Sequence, residues 1–373
     1  YYEQYKEDES FSDYQLEDII IGSDTISQTD LIRQKWLDNH FYGMTWSVNY
    51  RQNKLDLNIG GGYNIYDGDH YGNIIWAAYA ANMQKDYELY FNQGNKNDLN
   101  FYARATYELI KDLSIYADIQ DRRINYEIDG IHDDLRDITQ EHDFNFINPK
   151  MGLFFEFSDQ HETFFTFGVA NREPNRSIYR DASPGENPTY ETLYDYELGY
   201  KYSSARAALA ANAFFMDYDN QLVLTGKINN VGTPIKTNVK NSYRLGLELQ
   251  GGFKILENLR WDLHASISRN KIKDFTAYID NWNYWDDPEN EPYQYEEDLG
   301  ETDISFSPWL VAGSIIDYEA VKNLHLSLFS NYVGKQYIDN TSSEDRKLDP
   351  YFLNDIGISY SLETNLIKEI SFQ

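Results

Sequence analysis

Residues Leu99–Leu109 read LNFYARATYEL. The odd positions carry Leu99, Phe101, Ala103, Ala105, Tyr107 and Leu109; the even ones carry Asn100, Tyr102, Arg104, Thr106 and Glu108. A period of two puts successive side chains on opposite faces of a strand, so this stretch has one apolar and one polar face. The pattern recurs. Leu259, Trp261, Leu263, Ala265 and Ile267 alternate with Arg260, Asp262, His264, Ser266 and Ser268. Leu55, Leu57 and Ile59 alternate with Asp56, Asn58 and Gly60, and Leu245, Leu247, Leu249 and Phe253 with Arg244, Glu248 and Gln250. No comparably sustained helical period competes with it.

The connections alternate as well. Short turns are expected near Arg51–Lys54, Lys111–Leu113, Ser158–Glu162, Ser203–Arg206, Ile255–Leu259, Tyr318–Asn323 and Leu362–Lys368. Between them lie long polar segments, Asp8–Asp38, Asp67–Asp98, Asp129–Asn145, Glu173–Thr189, Gly226–Lys240, Thr276–Thr302 and Tyr337–Asp349, which read as loops. Strands longer than the roughly 9–11 residues that cross a bilayer at a tilt, joined by short turns at one end and long loops at the other, are the pattern of an outer-membrane barrel. A soluble sandwich or propeller also alternates, but its strands are ordinarily about 5–6 residues long.

Composition agrees. The 373 residues include 33 Tyr, 20 Phe and 7 Trp, yet mean hydropathy is negative. Aromatics within a polar average suit a wall wet on one side and ringed by aromatics at two interfaces. No run approaches the about 18 apolar residues of a spanning helix. The net charge of −29 argues against nucleic acid as partner, which needs cations to neutralise phosphates. There is no Cys, hence no disulfide or thiolate metal site. The expected fold is therefore all-β: an antiparallel transmembrane β-barrel meander of about fourteen strands followed by a stub at Glu369–Gln373, counted from these signals.

Several segments resemble the barrel of TonB-dependent receptors. VANREPNR at Val169–Arg176 precedes YETLYDYELGY at Tyr190–Tyr200, where the family has a "PET…YELGY"-like strand; Tyr190 stands in place of its Pro. AFFMDYDNQLVLTG at Ala213–Gly226 is similar to the family's aromatic strand, and NVKNSYRLGLEL at Asn238–Leu249 to its "N…G.E" strand. YDGDHYGNIIWA at Tyr66–Ala77, DGIHDDLRDITQEHDFNFINPK at Asp129–Lys150 and YVGKQYIDNTSSEDRKLDPYF at Tyr332–Phe352 look like the Bacteroidetes-type branch. The resemblance implies a 22-stranded barrel around a plug. On that reading 1–373 is a single partial barrel domain without plug or closing strand, an open curved sheet with edges at Tyr1–Lys6 and near Tyr351–Leu362. It also implies no enzymatic activity, no cofactor, and residence in the outer membrane of a Gram-negative bacterium. The implied function is import of a scarce bulky nutrient, a metal chelate such as a ferric siderophore, haem or cobalamin. The implied partners are the TonB complex through the plug, the nutrient, membrane lipid and lipopolysaccharide. An oligosaccharide importer lidded by a lipoprotein and a passive porin are the rivals.

Candidate ligand contacts lie in Thr276–Thr302, where Trp282, Tyr284, Trp285, Tyr293 and Tyr295 interleave with nine acids and no Lys or Arg. Aromatics offer flat apolar contact, and carboxylates accept from hydroxyls or hold a hard cation; the plain alternative is a solvated loop kept extended by its charges. The spacing matches no EF-hand loop. Asp129, Asp133, Asp134, Asp137, Glu141 and Asp143 with His132 and His142 form a second acidic stretch, without a recognised metal-ligand spacing. Arg172, Glu173 and Arg176 could hold an anion bidentately, but the resemblance implies a strand-end role for them instead. No nucleophile–base order, phosphate loop or dinucleotide fingerprint stands out, and no catalytic or metal-binding residue is assigned.

Overall fold

A computed structural model describes every residue except 183–184, 230–231, 363–369 and 373. Strands make up 74% of it and helix 4%. β1 (Tyr2–Ser10), β2 (Ile19–Ile21) and β3 (Asp24–Ile26) precede β4 (Gln28–Gln52), β5 (Leu55–Ala77), β6 (Tyr87–Ile110), β7 (Leu113–Gly130) and β8 (Gln140–Ser158). Then come β9 (His161–Arg172), the helix α1 (Arg176–Asp181), β10 (Glu191–Ser203), β11 (Ala207–Ile228), β12 (Pro234–Leu256) and β13 (Leu259–Asp280). β14 (Gln294–Asp303), β15 (Leu310–Val321), β16 (Leu324–Val333), β17 (Gln336–Tyr337), β18 (Lys347–Leu348), β19 (Tyr351–Leu362) and β20 (Ile370–Phe372) follow.

The main sheet is one antiparallel meander, in the order β1-β4-β5-β6-β7-β8-β9-β10-β11-β12-β13-β15-β16-β19-β20. β14 pairs the far half of β13 and β15 the near half, so the two are one strand interrupted at 304–309. Counted that way, fourteen strands precede the three-residue β20, the number expected from the pattern. β2 with β3 and β17 with β18 form separate two-stranded ribbons.

Six of the seven expected short turns are present. Asn53, Asp112 and Asn323 adopt positive φ at three of them, a conformation Asn and Asp tolerate better than other side-chain-bearing residues. The seventh, Leu362–Lys368, falls almost wholly outside the described residues.

Of the long polar segments, Glu173–Thr189 and most of Tyr337–Asp349 are connections as expected, and the others are corrected. β4, β6 and β12 run 25, 24 and 23 residues, so most of what reads as loop is ladder. Only 78–86 remains between β5 and β6, 131–139 between β7 and β8, and 281–293 between β13 and β14. Ladder hydrogen bonds need no apolar face, so a polar ribbon continues the sheet without leaving a periodic hydrophobic signal.

The chain divides into two compact units. The first is Tyr1–Asn49, Asn58–Ala103 and Gln120–Phe146. Its core is not an extension of any strand pattern. The segment after β1 folds through a 3-10 turn, Phe11–Tyr14, and buries Phe11, Tyr14 and Leu16 against Leu31 and Ile74. Met83, Tyr87 and Leu89 pack on that cluster. On β4 of this unit Tyr42, Met44 and Val48 are all more than 60% exposed along one face.

The second unit holds Tyr50–Leu57, Arg104–Ile119 and Ile147–Gln373. Register shows its two faces. Directly paired residues of an antiparallel ladder share a face, so Leu153, Phe165, Leu198, Ala213, Leu247 and Ile267 stand in one row, strand by strand. A parallel row runs Phe253, Trp261, Ile316, Leu328 and Ile356. These side chains are exposed: Leu198 57%, Leu153 45%, Ile356 80%. The reverse face carries Gly199, Asn212, Glu248 and Ser266 in register, with Glu197 on the diagonal accepting from Asn212 at 3.1 Å. It is stiffened by rings laid over glycines. Phe164 faces Gly199 so closely that an added Cβ would lie 2.1 Å from its ring. Beyond the band, Val223, Val239, Ile272, Phe275, Ala277 and Ile304 form a buried cluster of their own.

Candidate functional site

The β13–β14 hairpin carries the aromatic residues singled out from the sequence. Its tip is built by Asn281, which is 5% exposed. The Asn281 Oδ1 accepts from the Asn283 N–H at 3.1 Å, and its Nδ2 donates to Glu291 Oε2 at 3.0 Å and to the Pro292 carbonyl at 2.8 Å. An Asn that satisfies local backbone groups in this way initiates turns. Trp282–Trp285 then form one 3-10 turn, and Asn290 closes the loop by donating to both Asp287 carboxylate oxygens at 2.9 and 3.0 Å.

Three of the five predicted contacts come together. Tyr284 lies 5.5 Å from Trp285 and 5.0 Å from Tyr293, and Trp285 lies 6.1 Å from Tyr293, all edge-to-face. Such pairs are each worth about 0.5–1.5 kcal/mol beyond burial, so the trio holds its shape while Trp285 stays 66% exposed. The other two stand apart. Trp282 is 78% exposed and makes no ring contact among the described residues. Tyr295 lies on β14, opposite Ile279, and donates to Glu291 Oε2 at 2.5 Å. That bond, with the one from Asn281, holds the Glu291 carboxyl below its usual range and raises the Tyr295 hydroxyl.

Neighbouring hairpins clamp this one, which the sequence did not reveal. Gln294 donates to the Gly226 carbonyl at 2.9 Å and to Asp280 at 2.8 Å, and accepts from the Ile228 N–H at 3.1 Å. Gly226 has φ +85°, and a Cβ there would lie 2.5 Å from the Tyr278 carbonyl oxygen; only glycine fits that approach. Asn340 joins the 334–350 connection to β11, donating to the Leu224 carbonyl at 2.8 Å. One acid of the segment, Glu301, pairs with Arg269 of β13 at 2.6 Å, and just beyond it Asp303 pairs with Lys271 at 2.9 Å.

The remaining candidates are structural. Arg172 pairs with Glu191 of β10, whose carboxylate is 8% exposed and also accepts from the Leu222 N–H at 3.1 Å. The YET stretch thus supplies a staple across three strands. In the second acidic stretch His132 and Lys35 both contact Asp133, while His142 bonds Gln140. Those two partners hold the Asp133 carboxyl well below the carboxylate range, against its partial burial. No group of three or more His, Asp or Glu arranged to hold a metal occurs among the described residues.

The profile of a family described as TonB dependent receptor-like, beta-barrel, matches residues 1–373. No curated protein sequence matches. Among solved structures, the siderophore receptor PiuA from Acinetobacter baumannii is 12% identical with a TM-score of 0.65, over 92% of this chain and 52% of that one. The ferric citrate transporter FecA is 13% identical with a TM-score of 0.65, over 92% and 50%. The ferric-catecholate import receptor Fiu from K12 E. coli is 12% identical with a TM-score of 0.58, over 90% and 49%. The chain spans about half the length of these structures.

Proposed function

The chain belongs to the TonB-dependent receptor-like β-barrel family, and from that premise we propose that it supplies wall and outer loops to a TonB-driven importer of metal chelates. The family and its structural neighbours are transport receptors, not enzymes.

The observation that carries the reading is the two-faced sheet. Leu153, Leu198, Leu247 and Ile356 belong to an apolar face exposed on strand after strand. A soluble monomer rarely exposes a contiguous apolar patch beyond a few hundred Å2; a bilayer accounts for it, because hydrocarbon covers one face while the other lines an aqueous lumen. The proposed setting is thus the outer membrane of a Gram-negative bacterium, with lipid and lipopolysaccharide against the apolar face and the TonB complex acting through a plug outside residues 1–373.

The solved relatives named for ferric-catecholate, siderophore and ferric citrate point to a ferric siderophore or similar chelate. The Tyr284–Trp285–Tyr293 trio holds the exposed Trp285 ring in place as an apolar surface for it, and Trp282 offers a second ring. The test is uptake of labelled ferric chelates by cells carrying the intact receptor, with and without TonB. Trp285→Ala combined with Trp282→Ala should weaken chelate binding about tenfold, or ~1.4 kcal/mol. Uptake that ignores TonB, or that is confined to oligosaccharides, would sink the chelate reading.

A further inference from the structure

The aromatic tip of the β13–β14 hairpin stands in a field of one sign. No Lys, Arg or His occurs between Lys273 and Lys322. Asp286, Asp287, Glu289 and Glu291 fall between Trp285 and Tyr293, two rings that lie 6.1 Å apart. None of the four carboxylates has a cationic partner among the described residues. Asp287 accepts from Asn290, and Glu291 from Tyr295 and Asn281. Those donors are neutral and leave the charge in place; the two on Glu291 hold its carboxyl below the usual range, which keeps it ionised. Arg269 is taken up by Glu301, near the end of β14.

Trp285 is the ring on which this field acts. Tyr284 and Tyr293 stand against it at 76° and 78°, and at 86° to each other. The indole is thus propped by two edge-to-face neighbours while 66% of the residue stays exposed. The face of an aromatic ring is its negative side, and indole attracts a cation more strongly than the other side-chain rings do. Lower on the same hairpin the chain supplies such a cation itself, with Lys227 lying 5.0 Å from the Tyr278 ring centroid. At the tip, no Lys or Arg of the described residues lies over Trp285. The four carboxylates follow Trp285 within six residues, on a loop whose ends meet at the Tyr284–Tyr293 contact. A cation seated on the indole is attracted by both ring and acids, and an anion in the same place is repelled by both.

We infer that the ligand taken at this tip carries a fixed positive charge, an alkylammonium or guanidinium group, seated on the open face of Trp285 beside Asp286, Asp287 and Glu289. The inference rests on the importer reading and narrows it: the favoured chelate has a cationic arm, and chelates of net negative charge are disfavoured.

The experiment uses one ferric trihydroxamate chelate in three forms, with its terminal amine free, acetylated or succinylated, so that only the charge of the arm changes. Binding to the intact receptor in micelles is measured by titration calorimetry. At low salt the cationic form should bind about tenfold more tightly than the neutral one, and the anionic form most weakly. Added salt should compress the series, since exposed charges are screened over about 10 Å at 0.1 M. Trp285→Leu keeps an apolar side chain without the ring face and should bring the cationic form down to the neutral one. Asp286→Asn with Asp287→Asn and Glu289→Gln should do the same from the side of charge. Asp159→Asn, on the short β8–β9 turn, should leave the series as it is. Equal affinities for the three forms, or tightest binding of the anionic one, overturn the inference. If Trp285→Leu fails to fold, the triple amide variant decides, and a series unchanged in it overturns the inference too. A second arm needs no chelate: in a variant keeping Trp285 as its only tryptophan, the cationic quencher N-methylpyridinium should act several-fold more efficiently than iodide, and the reverse order overturns the assignment of charge. Preference for the cationic quencher with no binding of any chelate form sinks only the importer reading. Chelate uptake driven by TonB without the order of charge sinks only the inference.

Discussion

At the scale of single residues, the polar groups that matter most are those that tie one hairpin to the next. Glu191, Gln294 and Asn340 each hold backbone groups of β11, and Asn238 holds those of the connection that follows α1. In sequence they are ordinary polar residues of polar stretches, and only spatial proximity shows what they bind. Glu344 allows a pH test of such a contact. Lys335, Lys347 and Tyr337 donate to it, which pulls its carboxyl down to about 2 and raises Lys335. A carboxyl depressed in the folded state contributes stability that is complete above its unfolded value, about 4.3, and lost as pH falls through the folded one. The 334–350 connection should therefore keep its amide protection at pH 5 and show it weakened between about pH 4 and 2. Glu344→Gln should reduce that pH dependence, leaving the share of Asp339, whose carboxyl Thr341 and Arg346 also hold down. Protection in the native protein that does not change across this window would show the cluster to be inert.

At the scale of elements, a strand here is defined by its faces more than by its ends. Leu247 lies in register with Ala213 and Ile267 on the apolar face, and Glu248 with Asn212 and Ser266 on the other. An Arg at mid-bilayer on a lipid face costs about 2–4 kcal/mol, whereas a polar exchange on a wet surface is within about 0.5 kcal/mol. Leu247→Arg should accordingly destabilise folding into vesicles by that larger amount, measured by urea titration, and Glu248→Arg should be nearly neutral. Equal effects would remove the membrane argument. The boundaries of elements were far less legible. Tyr278 and Tyr295 read as loop but belong to the β13–β14 ladder, because β14 carries acids on both of its faces and so has hydrogen bonds without a hydrophobic period.

At the scale of the whole molecule, two environments should be separable by light. Trp46 and Trp261 are 42% and 37% exposed and Trp261 belongs to the apolar rows, while Trp282 and Trp285 stand on a polar hairpin tip. In vesicles, brominated acyl chains should quench Trp46 and Trp261, and neutral aqueous acrylamide should quench Trp282 and Trp285, as single-Trp variants. Acrylamide access to all four, with no effect of bromine, would place the chain in water rather than lipid. The buried groups around Phe11 and around Phe275 are a whole-molecule feature too, since each gathers side chains from segments far apart in sequence.

Sequence alone determined the all-β class, the meander of fourteen strands, six of the seven turns and the two faces. Each of these follows from local alternation and turn chemistry, which need no knowledge of distant residues. Tertiary structure decided how far the ladders run, that Phe11, Tyr14 and Leu16 close a core rather than hang in a loop, and which aromatics of the outer hairpin meet. Contacts of that kind depend on which hairpins lie side by side, and that is settled by packing and inter-hairpin hydrogen bonds between residues 30 to more than 100 positions apart, such as Asn340 and Leu224.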